Sequence, residues 1–212
     1  MPHRTPDEPA DADTGPRTGY RRSAGSQRGE ARRRELLERV TEDLSTNGLT
    51  DFSLRRAARA AGTTHKVLLY YFDGVDDLLV RAVLQLRERR IEKGMLAAAT
   101  EPRRLADRVR ALWPVLVGAE ARVLDQAIGL AMYDSGRYAE LGRGASKQYL
   151  PSLLSLCPAD WSDRRKLEVS EMILATLRGF LVDARTSGDT AGIAAGFDFL
   201  ARALDREEAT DA

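Results

Sequence analysis

Residues 53–72, SLRRAARAAGTTHKVLLYYF, hold two short helical patterns around a single glycine. Leu54, Ala57, Ala58 and Ala61 fall at i, i+3, i+4 and i+7, one face of a helix. Gly62 stands where a helix C-cap needs a residue that tolerates positive φ. Thr63 and Thr64 are then placed to cap a second helix, His65 to about Tyr71, with Val67 and Leu68 turned inward. Two helices joined by so short a turn make a helix-turn-helix, the device that lays its second helix into the major groove of DNA.

Upstream, Leu36, Leu37, Val40 and Leu44 form an apolar stripe at helical spacing, and Asn47-Gly48 ends that helix. Folded structure is expected from about Glu30. Asp51 and Ser53 are both candidate N-caps for the next helix, and Phe52 is placed to pack into the small core. Downstream, Asp73-Gly74-Val75-Asp76 reads as a turn, and Asp73 or Asp76 then caps a long helix through Leu78, Leu79, Ala82, Val83 and Leu86 toward Ala98. Its later part, with Glu88, Arg89, Arg90, Glu92 and Lys93, is polar, as expected of a helix linking two domains.

The patterns stay helical to the end of the chain. Glu101-Pro102 opens a helix with Leu105, Val109, Leu112 and Leu116 on one face, and Pro114 is expected to kink or break it. Residues 119–133 are another apolar-periodic run, ended by Asp134-Ser135-Gly136. The stretch from 138 to about 157 reads as helical, with Pro151 a candidate interruption. Asp160 or Ser162 starts a segment over 164–186 that stops at Ser187-Gly188-Asp189, and a last helix over about 190–207 carries Ile193, Phe197, Leu200, Ala201 and Leu204. No sustained alternation of β-branched and polar residues occurs, so the fold class is all-α, with about nine helices.

A chain of 212 residues fits one or two small domains and can bury a sizeable core. No run of 18 uncharged apolar residues is present, so no membrane span or membrane partner is expected. The N-terminus lacks the apolar stretch of a secretory signal, and the single cysteine, Cys157, excludes an internal disulfide; both fit a cytoplasmic protein. The net charge of +1 does not by itself point to nucleic acid. Its distribution does at one end, because residues 15–34 hold seven arginines against Glu30 alone. The first 28 residues, rich in Pro, Gly, Ser, Thr and charge, contain no aliphatic side chain larger than alanine and are expected to be disordered. Such an Arg-rich arm can enter a minor groove; the plainer reading is a solvated tail.

The segment over 32–79, RRRELLERVTEDLSTNGLTDFSLRRAARAAGTTHKVLLYYFDGVDDLL, resembles the N-terminal domain of TetR-family transcriptional regulators. Ser53, Ala58, Ala61, Gly62, Leu68, Tyr70, Phe72, Leu78 and Leu79 fall at the positions of the family pattern. Leu69 stands where a tyrosine is usual, Val75 where a lysine usually contacts phosphate, and Tyr71 replaces the usual histidine. Fewer backbone contacts should flatten the salt dependence of DNA binding, since the slope scales with phosphates neutralised. The tail over 177–204 resembles the last two helices of the family, which usually dimerise as a four-helix bundle. The resemblance implies an arm over 1–28, a helix-turn-helix DNA-binding domain over 29–76, and a helical ligand-binding and dimerisation domain over 77–208.

A recognition helix needs a polar N-terminal turn facing base edges and an apolar side fixing it to its neighbours. Thr63, Thr64, His65 and Lys66 supply the polar turn, Lys66 as a donor to guanine O6 and N7. Tyr70 and Tyr71 can donate hydroxyls to phosphates, Arg55 can reach a phosphate or a base, and the helix start at Ser53 offers backbone N–H groups. Arg33, in the basic segment, completes the candidate DNA contacts. Duller readings make Tyr70 or Tyr71 a half-buried core aromatic and His65 a solvated helix residue. Arg56 and Arg59 read as a solvated face.

One such domain touches few base pairs, whereas two related by a two-fold axis read a palindrome, so a homodimer is expected. Leu174, Leu177, Leu181, Phe197, Leu200 and Leu204 are candidate interface residues, and Ala175, Gly179, Ala194, Ala195 and Gly196 would let helices approach closely; the alternative makes both stretches intrachain core. The resemblance places an inducer pocket in the middle helices, for which Trp113, Met132, Tyr133, Tyr149, Met172 and Phe180 are candidates, again with plain core as the alternative. The paucity of buried charge candidates leans toward an apolar or aromatic effector.

Catalysis finds little support. His3 and His65 are the only histidines, and neither has metal-ligand spacing or a nucleophile context. Cys157, followed by Pro158, reads as a buried small hydrophobe, and Gly142-Arg143-Gly144 lies inside a helical pattern without the strand a nucleotide loop requires. No catalytic residue, metal or cofactor is assigned. The expected function is a DNA-binding transcriptional regulator, a ligand-responsive repressor that binds a palindromic double-stranded operator as a homodimer and is released by an unknown small-molecule effector. The alternative is a helical small-molecule sensor or partner-binding protein with degraded DNA reading.

Overall fold

Ser26 is the first residue described: its side chain accepts the Gly29 N–H at 3.1 Å and caps α1 (Gln27–Asn47). The computed structural model describes residues 26–100 and 104–210; the arm up to residue 25 lies outside them, as does the Glu101-Pro102 start. The first helix thus begins three residues ahead of the expected Glu30, because a capping serine stands inside what composition alone assigns to the arm. Further helices are α2 (Leu54–Ala60), α3 (His65–Tyr71), α4 (Val75–Ala99), α5 (Leu105–Val117), α6 (Arg122–Tyr133), α7 (Ala139–Arg143), α8 (Ala145–Leu156), α9 (Asp163–Thr186) and α10 (Thr190–Ala209). A short 3-10 turn, Ala119–Ala121, precedes α6, and no strand occurs among the described residues.

Two apolar cores organise these helices. The first joins Leu36, Val40 and Leu44 of α1, Ala57 and Ala58 of α2, Leu68 of α3 and Leu78, Ala82 and Val83 of α4. It does not close there, for Val123, Leu124 and Ala127 of α6 and Leu141 of α7 complete it. The second core packs α5, α8, α9 and α10 around Ile173, Phe197, Leu200 and Leu204, with Trp161 and Cys157 at its edge. Helix α4, 25 residues or about 37 Å long, runs from one core to the other and ends with Ala98 buried in the second.

Local chemistry differs from the sequence reading at a few joints. Neither Asp73 nor Asp76 caps α4: the N-cap is Gly74 at φ 123°, and Asp77 reaches back to accept the Asp73 N–H at 3.1 Å. Of the two candidates ahead of α2, Ser53 is the cap, accepting the Arg56 N–H at 3.2 Å, while Asp51 takes a left-handed φ of 55°. Pro114 and Pro151 both sit inside helices that continue past them, α5 and α8. Each proline is exposed, so the carbonyl it leaves unpaired one turn back lies on the solvent side, open to water. The break in the 138–157 stretch falls instead at Gly144. Ser162 rather than Asp160 caps α9, and Asp189 caps α10 by accepting the Gly192 N–H at 2.9 Å.

Candidate nucleic-acid interface

The turn between α2 and α3 is built by backbone geometry. Gly62 adopts φ 63°, the left-handed region open to glycine. Its N–H bonds to the Arg59 carbonyl at 3.1 Å, and the Thr63 N–H to the Ala58 carbonyl at 2.9 Å, the paired bonds of a Schellman C-cap. Arg39 of α1 donates from Nη1 to the Ala61 carbonyl at 3.3 Å, satisfying another group at the same helix end. The Thr64 side chain then accepts the Val67 N–H and starts α3. Leu68 and Phe72 are buried and fix the inner face of α3; Thr64, His65, Lys66 and Leu69 are exposed on the outer one, with Tyr70 half-buried beside them.

From Phe52 to Phe72 the chain carries Arg55, Arg56, Arg59, His65 and Lys66 and no carboxylate. Ser53, Arg55 and Arg59 are exposed on α2, and Thr63 is half-buried in the turn. The rings of Tyr70 and Tyr71 meet edge-to-face with centroids 4.8 Å apart, and Tyr71 packs partly against the first core. Arg33 lies half-buried on α1 with its guanidinium 5.6 Å from the centroid of Phe72. Of the candidates, Ser53, Arg55, Thr64, His65 and Lys66 are thus exposed, as is Arg59, while Arg33 and Tyr71 also pack at the rim of the core.

Arg56 departs from the expected solvated face. Its Nε donates to Asp43 Oδ2 at 2.8 Å, Nη1 to the Thr50 carbonyl at 2.6 Å and Nη2 to the Gly48 carbonyl at 2.9 Å. One guanidinium therefore ties α2 to the end of α1 and to the loop that Gly48 turns.

The six candidate pocket residues are not brought together. Tyr133 is 91% exposed and Met132 81%, Met172 lies on the outer surface of α9, and Trp113 and Phe180 stack with Phe197 in the second core. Of the six, Tyr149 borders both of a pair of adjoining hollows between α4, α8 and α9, and Met132 reaches only the outer one. The inner one, about 70 Å³, has apolar walls that include Ile91, Met95, Leu112, Leu153 and Leu177. The outer groove, about 730 Å³, opens between α6, α7 and α9 and is lined by Arg87, Arg90, Arg178 and Arg185 among others. These arginines were missed, although Arg87 and Arg90 continue the inward stripe of α4 at i+4 and i+7 from Val83, a register readable in the sequence.

All six candidate interface residues, Leu174, Leu177, Leu181, Phe197, Leu200 and Leu204, are buried within the chain itself, so they cannot also form a subunit surface. The face left uncovered lies a fraction of a turn around the same helices. On α9 it runs through Met172, Ala175, Gly179 and Val182, and on α10 through Ala195 and Phe199. Val182 and Phe199 are each 61% exposed. Cys157 is buried, its thiol 3.7 Å from Ser170 Oγ and pushed up in pKa by burial, which disfavours the thiolate.

An exposed basic helix-turn-helix thus stands on a helical body, an arrangement that can be compared with known structures. No family model matches the sequence, and no curated protein matches it. Solved structures do match over most of the chain. A protein assigned as a TetR-family transcriptional regulator from Mesorhizobium loti aligns with a TM-score of 0.62 at 17% identity, over 85% of this chain and 96% of that one. A TetR transcription regulator from Haloarcula marismortui aligns at 0.59 and 18%, over 84% and 98%. The multidrug-binding protein EbrR, solved with imidazole, aligns at 0.59 and 18%, over 82% and 94%. The chain has the fold of TetR-family transcriptional regulators.

Proposed function

We propose that the protein is a TetR-family transcriptional regulator: a cytoplasmic homodimer that represses by binding a palindromic double-stranded operator and lets go when a small molecule fills its body. The observation that carries this reading is the polar turn Thr64-His65-Lys66, exposed at the start of a helix whose opposite face is locked into the core by Leu68 and Phe72. In this scheme Lys66 and the threonines meet base edges, and Arg55 and Tyr70 contact the DNA backbone. Residues 29–76 read DNA in this scheme, and residues 77–208 bind the effector and dimerise. The apolar face through Met172, Val182 and Phe199 supports the dimer, because a face of this kind is ordinarily covered by a partner.

The exposed Leu69 favours one rival, a sensor whose DNA reading has degraded, since it leaves an apolar side chain where a hydroxyl would meet phosphate. A gel-shift with the DNA flanking the protein's own gene separates the two. Sequence-specific, salt-sensitive retardation by a dimer is the expected result; no retardation at low salt would leave the sensor.

A further inference from the structure

Helix α4 carries Arg87 and Arg90 on the stripe that Val83 begins and Gly94 and Ala98 continue, so two guanidiniums enter the interior where the register calls for apolar side chains. Arg87 is 1% exposed. It donates to the Leu141 carbonyl and, at 3.4 Å, to Gln148 Oε1, both neutral acceptors. Burial lowers its pKa most; Tyr149 opposes the fall, and Arg90 and Arg178 deepen it. Arg90 is less well served. Its Nε and Nη1 are buried with no hydrogen-bond partner. Asp125 Oδ1 lies 3.7 Å from Nη1, and that carboxylate is held more closely by Arg185 at 2.8 Å. The Tyr149 ring lies 5.2 Å from the Arg90 guanidinium, and Arg178 donates from Nη1 to the neutral Ser146 Oγ at 3.2 Å.

Four arginines therefore line one groove with a single carboxylate among its walls, Asp125; a fifth, Arg143, is paired with Glu140. Cations taken out of water are costly unless an opposite charge meets them. A groove of about 730 Å³ falls in the range of small-molecule sites, and Leu124, Ile128 and Leu181 give it apolar walls.

We infer that this groove binds an amphipathic anion, with a carboxylate or phosphate head on Arg90 and Arg178 and an apolar body along Leu124, Ile128 and Leu181. The inference rests on the effector-responsive reading and names the class of that effector, adding an anionic head to the apolar or aromatic molecule the sequence favours. Tyr149 and Arg90 also border the apolar hollow behind, which leaves room there for a few carbon atoms of the body.

Calorimetry on the full chain with one aromatic body and four heads tests it: 1-naphthaleneacetate, 1-naphthyl phosphate, the neutral 1-naphthaleneacetamide and the cationic 1-naphthylmethylammonium. The acetate or the phosphate should bind about tenfold or more tightly than the amide, as expected of a charge-assisted bond to guanidinium. The tighter of the two tells which head the site suits. Arg90→Gln should erase that preference and Arg90→Lys keep part of it. Arg178→Gln, on an exposed side chain, should reduce the preference too and serves if the Arg90 variants fail to fold. The inference is overturned if the amide or the amine binds as well as the anions, if no probe binds, or if neither Gln variant changes the preference. Gel-shifts on the same samples keep the two readings apart. Operator binding without anion preference removes this inference alone, and anion preference without operator binding removes the regulator.

Discussion

Arg56 and Arg90 look alike in the sequence and end in opposite situations. Arg56 gives three of its donors to Asp43, Thr50 and Gly48, whereas Arg90 has two buried nitrogens with none. No spacing rule announces the first, because its acceptors include backbone carbonyls on a loop, and these follow only from how Gly48 turns the chain. Arg56→Ala should therefore lower stability by about 1–3 kcal/mol, the cost of leaving a carboxylate and carbonyls unsatisfied, read from the urea midpoint at constant m. An unchanged midpoint would mean water replaces the clasp. Leu69 is the opposite kind of residue, 50% exposed on α3. Leu69→Tyr should leave the urea midpoint nearly unchanged. If the phenol reaches a phosphate, operator affinity should rise several-fold with the salt slope nearly unchanged, because a neutral hydroxyl positions the backbone without neutralising charge. Unchanged affinity would place position 69 away from the DNA backbone.

The pair α2–α3 was legible because each of its devices is local: alanines at helical spacing, a glycine at positive φ and a threonine cap all lie within a dozen residues. The prolines were not, because whether Pro114 or Pro151 breaks a helix depends on which side faces water, a tertiary fact. Helix α6 is the element whose role no periodicity reveals. Its Val123 and Ala127 pack into the first core, and Gln126 Oε1 accepts the Leu49 N–H at 3.0 Å, while Asp125 and Ile128 line the arginine groove. Gly48 lies so close that an added Cβ would stand 2.9 Å from Gln126 Oε1. One rigid helix thus touches both the loop that positions α2 and the proposed effector site. A ligand that moves Asp125 or Ile128 shifts Gln126 with them. Gln126→Ala should keep operator affinity without ligand within a few-fold and shrink the ratio of operator Kd with and without a bound anion. The same ratio in variant and parent would remove α6 from the coupling.

At the scale of the whole molecule, the all-α class and the order of helices were readable from periodicity, but the faces were not. Leu174 and Phe197 belong to stripes that any apolar count picks out, and those stripes close the second core. The face left uncovered, and proposed above as the subunit surface, is the weaker stripe of small and scattered apolar residues, Met172, Ala175, Gly179, Val182, Ala195 and Phe199, which a strong neighbouring stripe masks. In the proposed reading the basic arm adds to DNA binding. Deleting residues 1–25 keeps the Ser26 cap and should weaken operator binding while reducing its salt slope, and an equal slope would exclude the arm from the complex. The dimer face is the sharper test, because exposure within one subunit separates association from folding. Phe199 is 61% exposed, so Phe199→Asp costs a folded monomer little, but it buries an unpaired carboxylate if α10 packs against its two-fold mate. Light scattering should then find a 23.4 kDa monomer with parental helicity. Operator affinity should fall steeply, because the two half-sites lose the link that makes the second contact intramolecular. Leu204→Asp, at a position 1% exposed, should instead unfold the second core and lose helicity as well. If Phe199→Asp stays dimeric and binds as before, the subunits meet elsewhere and the uncovered face of α9 and α10 awaits another partner.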